Sequence, residues 1–112
     1  MDDINLGLKM STSIQKGELP PEHRSTAAMI RAAFPNGVSD EAYLPLLALL
    51  HERMSFRSIA TVVPHCTDRS YIDVYHDMMG AVSHEGPAAN TIEPVKKLLQ
   101  AHGYDAWLAS EE

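Results

Sequence analysis

Cysteine is almost missing from this chain. Cys66 stands alone, so no internal disulfide can form, and such usage fits a reducing cytoplasm. No stretch approaches the roughly 18 consecutive apolar residues that a membrane-spanning helix needs. Basic residues are scarce as well: nine Lys and Arg face fifteen Asp and Glu, a formal net charge of -6. A non-specific grip on nucleic acid comes from neutralising phosphates with Lys and Arg. The acidic balance therefore counts against a nucleic-acid partner. The spacings C-x-x-C, H-x-x-x-H and H-E-x-x-H are all missing, so we expect no metal, no cofactor and no catalytic machinery. The opening Met1-Asp2-Asp3 is acidic and no compact apolar stretch follows it. We therefore expect no secretory signal and a cytoplasmic protein. There is no apolar alternation of the β type, no internal repeat and no low-complexity segment.

What is present is helical. Across 112 residues, 45% are hydrophobic and 21% charged, which suits one soluble globular domain. The run from Ile30 to Met54 holds a helix end, a Pro35-Asn36-Gly37 turn, a helix start and a Leu-rich helix apolar nearly all round. A helix of that kind belongs in the middle of a bundle. Residues 1–20 read as a flexible N-terminal arm and residues 21–112 as a single helical domain. The spacing predicts helices over 22–33, 45–53, 56–63, 69–83 and 92–102. Ser39, Ser55, Asp68 and Thr91 are candidate caps, and Gly103 is a helix-terminating glycine. Pro45 would break a helix begun at Ser39, so a short turn over Asp40 to Leu44 is expected before the helix proper. The segment from Tyr104 to Leu108 should carry Trp107 back onto the bundle. The expected fold is all-α: a compact bundle of about five short helices.

The stretch FPNGVSDEAYLPLLALLHERMSFRSIATVV and the closing ANTIEPVKKLLQAHGYDAWL resemble a domain-of-unknown-function family of small actinobacterial, chiefly mycobacterial, proteins. Spelled out, it is the family numbered three-three-four-nine. Phe34, Pro35, Gly37, Val38, Glu41, Tyr43, Pro45 to Leu50, Arg53, Gly103 and Tyr104 carry the likeness. It spans about residues 25 to 108. It implies a small helical fold and no established activity, and it supplies no catalytic residue.

Several residue groups suggest chemistry, each with a plainer explanation beside it. His65, Cys66, Asp68, His76 and His84 could ligate zinc, yet exposed loop and helix-face residues account for them better. Cys66 beside His65 invites a nucleophile–base reading, but adjacent residues rarely point together. Asp73 and Asp77 lie one turn apart; a solvated acidic face with Arg69 reaching Asp73 explains them. Pro45 to Val63 has the outline of a helix-turn-helix, with Arg53, Arg57 and Arg69 as phosphate contacts. Against it, the turn has no glycine and the second helix is short.

The fourth helix carries two apolar rows: Tyr71, Val74, Met78 and Ile72, Tyr75, Met79, Val82. Together they exceed the stripe that a surface helix usually buries. We expect the Tyr71, Val74, Met78 row to be partly exposed and to bind. The function expected first is a non-catalytic helical interaction module that takes another protein, or itself, in an apolar groove. A helix-turn-helix regulator and a binder of small apolar ligands are the alternatives.

Overall fold

The computed structural model describes residues 19–110. Among these the chain is all-α, with six helices: α1 Arg24–Ala33, α2 Asp40–Leu50, α3 Phe56–Val62, α4 Tyr71–Val82, α5 Ala89–Gln100 and α6 Tyr104–Ala109. Short 3₁₀ turns, Pro21–His23 and Val63–His65, precede α1 and follow α3. Most of the arm expected over residues 1–20 lies outside the described residues. Of its last two, Leu19 packs against the core.

Local chemistry explains most boundaries. Phe34 to Gly37 forms a tight turn, with the Gly37 N–H donating to the Phe34 carbonyl at 3.0 Å. Gly37 and Gly103 both take φ of 99°, a left-handed backbone that glycine adopts without a side-chain clash. Hydroxyl caps open three helices: Ser39 Oγ accepts from the Ala42 N–H, Ser55 Oγ from Ser58 and Ser70 Oγ from Asp73. The cap of α4 is thus Ser70 rather than Asp68. Thr67 is the reason: its hydroxyl accepts the Arg69 N–H at 3.2 Å and holds that residue outside the helix.

Pro45 does not delay α2, contrary to expectation. The helix runs unbroken from Asp40 to Leu50 with Pro45 inside it. A proline in a helix interior costs about 3 kcal/mol. Leu46, Leu47, Leu49 and Leu50 are all buried, and each contributes roughly 1.5–3 kcal/mol, which outweighs that penalty. The carbonyl left without its usual donor belongs to Glu41, an exposed residue. α5 repeats the arrangement, with Pro94 at its sixth position and exposed Asn90 four residues earlier. Its start at Ala89 places Thr91 inside the first turn, where the hydroxyl donates to the Ala88 carbonyl at 2.7 Å.

α2 lies at the centre, packed against α4 and α5; α3 packs on α4, and α1 on α5 and α6. The short α6 returns Tyr104 and Trp107 to the core. The Trp107 Nε1–H donates to Thr26 Oγ1 at 2.7 Å, tying the last helix to the first across 81 residues.

Candidate interaction surface

α4 follows the usual 100° per residue, so its two apolar rows point roughly 90° apart. α2 and α3 decide which one is covered. Val74, Met78 and Ala81 point between those helices; Val74 and Met78 are 0% exposed. The expected exposure of the Tyr71, Val74, Met78 row is therefore corrected: only Tyr71, at the first position of the helix, reaches solvent, at 40%. The exposed row is its neighbour. Ile72 is 66%, Met79 55% and Val82 42% exposed, with Tyr75 half-buried between them.

Ile72, Tyr75, Met79 and Val82 follow spacings of three, four and three residues. That is the a/d seam by which one helix packs along another. Val74, Met78 and Ala81 make a similar seam facing the core. α4 is thus built to pack on two sides, and the described residues cover one.

A series of rings holds the exposed seam in place. His51 and Phe56 meet edge to face at 5.2 Å, Phe56 and Tyr75 likewise at 5.8 Å, and Tyr75 stacks with Tyr71 at 6.1 Å. Such contacts add about 0.5–1.5 kcal/mol beyond burial. The His51 Nδ1–H donates to the Met54 carbonyl at 2.9 Å, since a carbonyl can only accept. Beside the rings, Arg57, Tyr71, Ile72, Tyr75 and His76 line an open groove of about 370 Å³ between α3 and α4. Arg57 on its rim is exposed. The sequence showed both rows of α4, but this ring series depends on how α3 sits against α4.

The three arginines do not share a face. The Arg69 guanidinium lies 3.6 Å over the Tyr43 ring and pairs with Asp40 at 3.3 Å, beside the start of α2. It does not reach Asp73 as expected, because Asp40 and the ring of Tyr43 engage it. Arg53 follows the other end of α2. It lies 4.9 Å over Trp107 and donates to the Ser110 carbonyl. An eleven-residue helix spans about 16 Å, which separates the two. Only Arg57 faces the groove.

Among the described residues, no three His, Cys, Asp or Glu side chains gather as metal ligands. The Cys66 thiol donates weakly to the Ala27 carbonyl at 3.9 Å. Burial pushes its pKa up, against a smaller lowering by Arg31. That keeps it a thiol, whereas the thiolate is the nucleophile. The carbonyl of His65 accepts from Arg31. Asp77 accepts the Tyr43 hydroxyl at 2.7 Å and so helps clamp α4 to α2. A second groove, about 620 Å³, lies between α1 and α6, where Ser25, Ala28 and Met29 face His102, Ala106 and Trp107. Among the described residues no helix is long and apolar enough to cross a membrane.

A family model described as a protein of unknown function (DUF3349) matches residues 23–107. No curated protein and no solved structure matches.

Proposed function

The chain belongs to the DUF3349 family of proteins of unknown function, and we propose that it is a non-catalytic, cytoplasmic module that docks a helix on the outer seam of α4. The exposed row Ile72, Met79 and Val82 supports this reading above all. Large apolar residues scattered singly on a surface need no explanation, but a contiguous row marks an interaction site. The seam has the spacing that another helix matches. Rings fix its half-buried member, Tyr75, so little ordering remains to be done on binding. Met79 adds an adaptable side chain suited to such surfaces. Covering Ile72, Met79 and Val82 recovers the burial they now lack, a gain on the order of several kcal/mol in total.

A photo-crosslinking residue placed at Met79 tests the proposal in cells. We expect one defined protein adduct there and none from the same residue at Glu93, an exposed position on α5. The adduct should vanish with Ile72→Asp while the melting temperature is unchanged. The identified partner, purified, should bind the wild-type chain and not that variant. Equal labelling at the two positions would remove the reading.

A further inference from the structure

The seam on α4 also bears on the identity of its occupant, and this step rests on the docking reading above. We propose that the helix received by α4 is α4 of a second copy of this chain, running antiparallel.

The seam is self-complementary in that direction. A twofold axis beside Asp77 sets Ile72 of one copy against Val82 of the other, and Tyr75 against Met79. Each layer then joins an a position to a d position, as antiparallel packing requires, and a twofold interface uses one patch on both copies. The layers are also matched in shape: two β-branched side chains meet at each end, and an aromatic ring meets a thioether in the middle. Parallel pairing would instead set Ile72 on Ile72 and Tyr75 on Tyr75.

Charge agrees with the same direction. Arg57 lines the groove beside Tyr71 and Ile72, at the start of α4. Glu85 is exposed and lies just beyond the end of α4 at Val82. Antiparallel pairing brings Arg57 of each copy to Glu85 of the other, twice per dimer. Asp73 and Asp77 point to the far side of α4, roughly 140–180° from the seam, and Asp77 is engaged by Tyr43. Neither aspartate therefore meets its like across the axis. With three exposed apolar side chains and one half-buried ring, the patch is smaller than the about 800 Å² per partner of a standard interface. The dimer is accordingly weak and reversible.

Sedimentation of the full chain from about 10 μM to about 1 mM should show a monomer–dimer equilibrium. Met79→Lys should weaken it at least about tenfold with an unchanged thermal melt. Arg57→Glu should weaken it too, and adding Glu85→Lys should restore it. Direction is read by disulfide trapping with Cys66→Ser in every chain. Ile72→Cys mixed with Val82→Cys should crosslink readily. Ile72→Cys alone should not, since the two copies of that position lie about 15 Å apart along the helix, beyond disulfide reach. A chain that stays monomeric at about 1 mM, or one in which Ile72→Cys alone crosslinks as readily as the mixture, overturns the proposal. A monomer that still gives a Met79 adduct with a different protein would overturn self-pairing and leave helix docking standing. A monomer with no adduct would sink both.

Discussion

Thr26→Val would test how the two ends of the domain are joined. Thr26 is 1% and Trp107 6% exposed, and the indole N–H donates to the threonine hydroxyl at 2.7 Å. Valine has nearly the same shape, so packing is kept while the acceptor disappears. A buried donor left without a partner costs about 1–3 kcal/mol. The new methyl group recovers at most about 0.8 kcal/mol of that. A net loss of about 1–2 kcal/mol should lower the melting temperature by roughly 5–15 °C in a domain of this size. Trp107 is the only tryptophan, so its fluorescence reports on this contact during urea unfolding. Thr26→Ser keeps the hydroxyl and should lose less. The double variant Thr26→Val with Trp107→Phe, followed by circular dichroism, should be less damaged than the two single losses added together, because neither polar group is then stranded. An unchanged midpoint for Thr26→Val would refute the reasoning and show that the indole finds another acceptor.

Two further outcomes follow from the centre of the bundle. Leu47→Ala or Leu50→Ala, each at a fully buried position of α2, should cost about 2–5 kcal/mol by leaving a cavity; unchanged denaturant midpoints would show that α2 is not central. Burial, then the hydrogen bond to Asp77, raises the pKa of Tyr43, so the folded chain keeps a proton that the unfolded chain gives up near the ordinary tyrosine value of about 10. That stability is fully present below about pH 10 and is lost as the pH climbs toward the raised folded value. Between pH 9 and about pH 11.5, Tyr43→Phe should therefore melt with a flatter pH dependence than the wild type, and parallel curves would contradict the assignment.

Local chemistry was legible in the residues themselves. The caps at Ser39 and Ser55 and the left-handed glycine at 103 each act over a few neighbours, and so does the turn at Pro35 to Gly37; no distant partner is needed to recognise them. A Leu-rich helix apolar on nearly every side can only be stable when enclosed, which marked α2 as central and the fold as all-α. Pro45 shows where local reasoning fails: its penalty is local, but the burial that overrides it comes from α4 and α5. The candidate surface failed in the same way. Helical periodicity sets the angle between the two rows of α4, but not the rotation of α4 about its own axis. That rotation is decided by α2 and α3, which cover Val74 and Met78 and leave Ile72 and Met79 outside. The arginines and the tryptophan belong with it, for Arg69 over Tyr43, Arg53 over Trp107 and Trp107 on Thr26 are contacts between residues far apart in the chain. Residue type and spacing therefore determined the class of fold and the place of its turns, because those depend on near neighbours. Which apolar side chains remain at the surface was decided only by tertiary packing, because a helix has one face turned inward and its neighbours choose it.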